Sequence, residues 1–162
     1  LLLRSYEAME KALERAWGMR DSNLPITTPH ELLTLASIIE KETGIAKERP
    51  EIAGVFVRRL QKGMRLQTDP TIIYGLGDDY RGTIYRSDLQ KDTPYNTYLH
   101  EGLPPGPIAM PSRAAIYAAA NPASGTSLYF VAKGDGSWEH VFSDTLEEHN
   151  KAVQQYRKNI GQ

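Results

Sequence analysis

The chain has 162 residues, of which 40% are hydrophobic and 24% charged, a length and composition that suit one globular domain and exclude wholesale disorder. Its 19 Lys and Arg residues almost balance its 20 Asp and Glu residues, which argues against the basic surface of a nucleic-acid-binding protein. The absence of cysteine excludes a disulfide scaffold, a thiol nucleophile and a metal site built from thiolates.

The first part of the chain is predicted to form three helices. Residues 4–17 are rich in helix formers and carry apolar side chains three or four residues apart. A second helix begins after Thr28, which forms a capping-box pattern with Glu31, and Gly44 is its predicted end. A third helix covers about residues 48–62.

The central stretch, residues 64–111, contains too many glycines and prolines for long regular elements. One short helix is predicted to start at Ser87, which forms a capping-box pattern with Gln90. An irregular stretch of this length is unusual in a compact domain and is often functional. We therefore expect binding residues here.

The last part of the chain changes character again. Ser112 is predicted to cap a short alanine-rich helix. Residues 127–132 and 138–142 flank a glycine-rich turn and are predicted to form a β-hairpin, followed by a final helix from about Asp144. The order of elements predicts an α+β fold with helices first, an irregular middle, a small antiparallel sheet and a closing helix.

One acidic residue lies where the second helix is predicted to be apolar. Leu35, Ile38 and Ile39 share one face, and Glu42 falls on that face, seven, four and three residues after them. Glu40 projects to the opposite flank. Burial against apolar surface raises the pKa of a carboxyl group, which suits a general acid for glycosidic cleavage. The alternative is a solvent-exposed glutamate at the end of a helix.

Other side chains are assigned structural roles. Arg58 and Arg59 are interpreted as a solvated helix face, and Trp17 and Trp138 as packing residues. The histidines do not have metal-binding spacing, so neither a metal nor a cofactor is expected. These histidines are His30, His100, His140 and His149.

An ordered set of motifs runs through most of the chain. It comprises residues 35–43 (LASIIEKET), 63–71 (GMRLQTDPT), 95–98 (YNTY), 102–108 (GLPPGPI), 128–132 (LYFVA), 140–142 (HVF) and 149–150 (HN). Together they resemble the MltG (YceG-like) family of endolytic murein transglycosylases over about residues 30–157.

The resemblance implies a helical, lysozyme-like catalytic domain over residues 28–162, with residues 1–27 forming an N-terminal helix and linker that lead into it. It further implies cleavage of peptidoglycan strands to leave 1,6-anhydro-N-acetylmuramic acid ends. The setting would be extracytoplasmic, at the periplasmic face of the inner membrane, with a membrane anchor outside this sequence. Glycan strands are the expected partner, and peptidoglycan synthases are further candidates.

The resemblance also implies which glutamate acts. Related transglycosylases and lysozyme-like enzymes place their acid as Glu followed by Ser or Thr, after an apolar helix. Glu42 followed by Thr43 fits that pattern, whereas Glu40 is followed by Lys41. Helical periodicity and motif thus both favour Glu42, which would act first as general acid and then as general base.

Polar residues of the central stretch are the predicted substrate-binding set, since amide, hydroxyl and aromatic groups suit sugars. They are Gln67, Thr68, Asp69, Tyr95, Asn96, Thr97 and Tyr98. The alternative is that these residues only form turns. Two alternative functions also stay open: a muramidase-type hydrolase with a second acid such as Asp69, and a catalytically silent peptidoglycan-binding module.

Overall fold

The computed structural model describes residues 2–162, and its helices and small antiparallel sheet confirm the predicted α+β fold. The helices are α1 (Leu2–Gly18), α2 (Pro29–Glu42), α3 (Arg49–Gln61), α4 (Asp69–Leu76), α5 (Arg86–Gln90), α6 (Arg113–Ala120) and α7 (Leu146–Asn159). The strands are β1 (Tyr129–Ala132) and β2 (His140–Ser143). Within the described range, none of the helices combines the length and apolar character that crossing a membrane requires.

Helix α2 forms the centre of the hydrophobic core. Its side chains Leu32, Leu35, Ile38 and Ile39 are fully buried, and α1, α3, α4 and α6 pack around it. Burying one side chain of this size contributes about 1.5–3 kcal/mol. Because nearly every face of α2 is covered, the directions in which its last side chains project are fixed by the surrounding helices.

The predicted helix caps at Thr28 and Ser112 are present, with one difference at α2. The Thr28 hydroxyl accepts the N–H of Glu31 at 3.2 Å, and Ser112 caps α6 in the same way through the N–H of Ala115. The Glu31 carboxylate, however, accepts the N–H of Thr27 at 2.6 Å. The hydroxyl half of the predicted capping box is therefore confirmed, whereas the Glu31 carboxylate bonds the N–H of the residue before Thr28 instead of the N–H of Thr28 itself.

The central stretch contains a helix that the sequence analysis missed. Helix α4 begins at Asp69-Pro70, in a stretch for which glycines and prolines predicted no long regular element. Proline is equally suited to the first turn of a helix, where its missing N–H leaves no hydrogen bond unmade. Helix α5 begins just before the predicted cap Ser87, and the Asp88 carboxylate instead accepts the N–H of Tyr85 at 2.8 Å.

The β-hairpin is confirmed, with shorter strands than predicted. The strands are antiparallel, with Ala132 opposite His140 at the turn end. Trp138 is 85% exposed and has a φ of 63°, so its interpretation as a packing residue is wrong. Trp17, in contrast, packs against the core as predicted.

The hairpin is held to the rest of the protein by α3 and α7. The buried Glu48 carboxylate accepts the backbone N–H of His140 at 2.9 Å and pairs with its Nδ1 at 2.8 Å. The Phe130 ring meets the Phe56 ring edge-on, with centroids 5.7 Å apart. A two-stranded hairpin is at best marginally stable alone, so these contacts and the packing of α7 on both strands fix its position.

Candidate active site

A cleft of about 620 Å³ separates the helical part of the protein from the hairpin and α7. One side is formed by the end of α2, by α3 and by residues 66–69, and the other by β1, β2 and α7. The polar side chains that line it are Glu42, Arg59, Gln67, Asp69, Tyr98, Tyr129, His140, His149, Asn150 and Tyr156, and the rings of Phe56 and Phe130 also line it.

Glu42 is the last residue of α2 and lies in this cleft. The helix stops there because Thr43 adopts an extended conformation, with φ −143° and ψ 137°. The Thr43 hydroxyl then accepts the N–H of Ile45 at 3.0 Å, which fixes the turn that follows. The half-buried Glu42 side chain is therefore held by a rigid helix at the floor of an otherwise accessible site.

The surroundings of Glu42 shift its proton affinity. Burial raises the pKa of the Glu42 carboxyl to about 7, and the negative charge of Asp69 acts in the same direction. The Thr68 hydroxyl donates a hydrogen bond to Glu42 Oε1, which opposes this rise. The raised pKa predicted from the helical face is thus confirmed. Both protonation states are populated near neutral pH, as a group that gives and then takes a proton requires.

Glu40 has the opposite surroundings, on another face of the same helix. Its carboxylate accepts the backbone N–H of Ser112, the cap residue of α6, at 2.8 Å. Partial burial alone would raise its pKa, but this hydrogen bond and the charges of Arg49 and Lys41 hold the pKa of Glu40 below its ordinary value. Glu40 is therefore an ionised side chain that connects α2 to α6.

Four of the predicted binding residues lie at or beside Glu42. Gln67 and Asp69 line the cleft, and the Tyr98 hydroxyl donates to Asp69 Oδ1 at 2.6 Å. Thr68 is buried between them and contacts Glu42 directly. The Gln67 backbone is left-handed, with a φ of 50°.

The other three predicted binding residues lie outside the cleft lining and shape the loop behind it. The Asn96 amide donates to the carbonyls of Leu89 and Lys91, and its oxygen accepts two further backbone N–H groups. The Thr97 hydroxyl accepts the N–H of Thr68 at 3.0 Å. Tyr95 packs against the Tyr74 ring, with centroids 4.7 Å apart. The geometry gives these three residues a supporting position.

Arg59 is a cleft residue that the sequence analysis misassigned. It is buried, and its guanidinium donates to the carbonyls of Leu128 and Arg65, so the predicted solvated face is wrong. The signal was present, because Arg59 lies seven residues after Ile52 and three after Phe56, on the apolar face of α3. The same periodicity that identified Glu42 therefore also identifies Arg59.

His149 and Tyr129 complete the hairpin side of the cleft and were not predicted as site residues. Their rings stack, with centroids 5.2 Å apart and an angle of 25° between the planes. The Arg59 guanidinium lies 5.0 Å from the centre of the Tyr129 ring. No signal in the sequence identified these residues beyond their place in the motifs. Over residues 2–162, no group of three or more acidic or histidine side chains is arranged to hold a metal ion.

Comparison with known proteins finds the same family that the ordered motifs resemble. The model of the YceG-like family matches residues 1–155. The endolytic murein transglycosylase of Bacillus subtilis (strain 168) is 49% identical over 127 residues, which cover 78% of this chain and 34% of that protein. The protein of the same name from Streptococcus pneumoniae (strain D39) is 36% identical over 154 residues, covering 92% of this chain and 27% of that protein.

A solved structure has the same fold. The crystal structure of a YceG-like protein from Listeria monocytogenes superposes with a TM-score of 0.72 and 46% identity, over 77% of this chain and 40% of that chain. The chain spans about a third or less of the length of the curated relatives cited above.

Proposed function

Because this chain belongs to the YceG-like family, we propose that it cleaves peptidoglycan glycan strands as a lytic transglycosylase with Glu42 as its acid. The observation that carries the proposal is a single carboxyl group with a pKa of about 7 in a cleft lined by polar and aromatic side chains. The relatives from Bacillus subtilis and Streptococcus pneumoniae are named endolytic murein transglycosylases, which supports the same reaction class.

In the first step, protonated Glu42 gives its proton to the glycosidic oxygen that leaves C1 of N-acetylmuramic acid. The C1–oxygen bond breaks, and positive charge develops on the ring. Asp69, whose carboxylate is held by the Tyr98 hydroxyl, supplies negative charge in the same cleft. A preorganised charge of this kind stabilises the transition state without moving during the reaction.

In the second step, the Glu42 carboxylate takes the proton from the C6 hydroxyl of the same sugar. The C6 oxygen then bonds to C1, which closes the 1,6-anhydro ring and returns Glu42 to its protonated form. No water is consumed, so a second catalytic carboxyl group is not needed, in contrast to hydrolases that use two. The Thr68 hydroxyl steadies the ionised form of Glu42 between the steps.

The described geometry supports a division among the predicted binding residues. Gln67, Asp69 and Tyr98 would contact the sugars from the cleft lining. Thr68, together with Tyr95, Asn96 and Thr97, would hold that lining in place. We assign the activity to residues 28–162, against which helix α1 packs. We infer that it acts outside the cytoplasm, where the glycan strands are, and synthases of the wall are candidate partners.

Two glutamine variants test the assignment of the acid. Glu42→Gln keeps the side-chain volume and removes the proton, so turnover on purified peptidoglycan should fall by about 10²–10⁴-fold with the fold intact. Glu40→Gln is the matched control on the same helix and should keep most of the activity. Loss of activity in the Glu40 variant alone would contradict the assignment.

Mass spectrometry of the digested strands separates the three candidate functions. Anhydro-N-acetylmuramic acid ends support the transglycosylase. Reducing ends would instead indicate a hydrolase, for which Asp69, in the same cleft as Glu42, is placed as a second carboxylate. Strand binding without cleavage would indicate a silent binding module.

A further inference from the structure

His149 presents an unusual imidazole to the cleft. It lies in the first turn of α7, where its N–H is bonded to the carbonyl of the cap Thr145, and its ring is clamped against Tyr129. Its Nδ1 atom is completely enclosed and has no hydrogen-bond partner among the described residues. Of the two ring nitrogens, Nδ1 is therefore enclosed by protein, and Nε2 makes no hydrogen bond to an acceptor in residues 2–162.

The enclosed nitrogen decides where the proton of the imidazole is carried. An N–H group at Nδ1 would be a buried donor without an acceptor, which is more costly than a buried lone pair. A charged ring would need N–H groups at both nitrogens. Burial and the nearby positive charge of Arg59 also lower the pKa of His149. His149 is therefore neutral near pH 7 and carries its proton on Nε2.

A neutral ring with this tautomer is a hydrogen-bond donor in a fixed direction. Stacking on Tyr129 prevents the ring from turning, and a rigid helix sets the position of its Cα atom. The adjacent Arg59 guanidinium already uses its Nε and Nη1 to hold backbone carbonyls of the cleft wall. The Nε2–H group of His149 is a donor on this wall whose direction is set by the stacked ring and that has no acceptor among residues 2–162.

We propose that His149 is a substrate-binding residue that donates Nε2–H to a neutral oxygen of the glycan strand, an N-acetyl carbonyl or a sugar hydroxyl. The proposal rests on the proposed function and extends it, because it assigns a sugar contact to the α7 wall of the cleft. The donor is neutral, so it stays in the same protonation state while Glu42 changes its own.

Binding of purified, peptide-free glycan strands to the Glu42→Gln variant is the direct test, because no strand is cut during the measurement. Adding His149→Phe keeps the stacked ring and removes the donor, so the dissociation constant should rise about 3- to 10-fold. Adding His149→Gln places an amide N–H near the position of Nε2 and should restore affinity to within about twofold. Thermal unfolding should be similar for both variants.

Each outcome separates this proposal from the proposed function. Unchanged affinity in the His149→Phe variant would overturn the proposal while leaving the transglycosylase intact. Binding that responds as expected, in a wild-type protein that cuts no strands, would support His149 and refute the transglycosylase. A Glu42→Gln protein that binds no strands, together with a wild type that cuts none, would overturn both. Nitrogen NMR of the free protein adds a check, since a proton on Nδ1 or a doubly protonated ring at pH 7 would contradict the assigned tautomer.

Discussion

Ionisation of Glu42 should lower the free energy of unfolding of the protein, and the size of this effect follows from the pKa of Glu42. The ordinary pKa of this carboxyl is 4.5, whereas in the folded protein it is about 7. Below pH 4.5 the group is protonated in both states and its contribution to stability is complete; the contribution is lost as the pH rises toward 7. Since a tenfold difference in proton affinity equals about 1.4 kcal/mol, the loss should reach about 3 kcal/mol by pH 7.

Glu42→Gln cannot ionise and should escape this loss. Urea denaturation at a series of pH values measures the free energy of unfolding of variant and wild type. The difference between them should move by about 3 kcal/mol in favour of the variant from pH 4 to pH 7. The variant is therefore expected to be the more stable protein at neutral pH and the less active one.

Glu40→Gln provides a control of opposite sign. Its carboxylate has a pKa below the ordinary value, so it contributes stability above about pH 4.5 and loses it as the pH falls. The Glu40 variant should be weaker than wild type at neutral pH and approach it in acid. A Glu42→Gln difference that is flat with pH, or that follows the Glu40 pattern, would refute the burial argument.

Two further predictions concern the loop that supports Glu42. Thr68→Val removes the hydroxyl that lowers the pKa of Glu42 and keeps the side-chain shape, so the pH above which cleavage declines, about 7 in wild type, should move upward; a pH–rate profile identical to wild type would contradict this role. Asn96→Ala leaves three backbone groups without their side-chain partner, since the Leu99 N–H still bonds the Asn96 carbonyl, and should lower the free energy of unfolding by about 2–4 kcal/mol. Equal stability of the Asn96 variant and wild type in urea would show that the loop does not depend on this side chain.

Local signals were sufficient for most of the helices and for Glu42. The caps at Thr28 and Ser112 involve hydrogen bonds to residues three positions away, so the sequence contains both partners side by side. The position of Glu42 relative to the apolar face of α2 is likewise a property of helical periodicity. The apolar face on which Glu42 lies could therefore be predicted without tertiary information, whereas the alternative of a solvent-exposed side chain was excluded only by the structure.

The supporting residues could not be separated from the lining residues in this way. Thr97 holds Thr68 from 29 positions along the chain, and Glu48 holds His140 from 92 positions away. The amide side chain of Asn96 is equally suited to binding a sugar and to holding a loop. Only its burial in the folded protein distinguishes the two roles. Whether a residue lines the cleft or holds the lining in place depends on tertiary packing, which cannot be read from the spacing of residues in the sequence.

The left-handed backbone of Gln67 costs stability, while its side chain contributes an amide to the cleft lining. A residue with a side chain costs roughly 1–2 kcal/mol in this conformation, and glycine does not. Gln67→Gly would relax the backbone and delete an amide from the cleft lining. Engineering that selects this protein for heat resistance alone would therefore favour a glycine here, and the more thermostable protein would lack one amide group of the cleft lining.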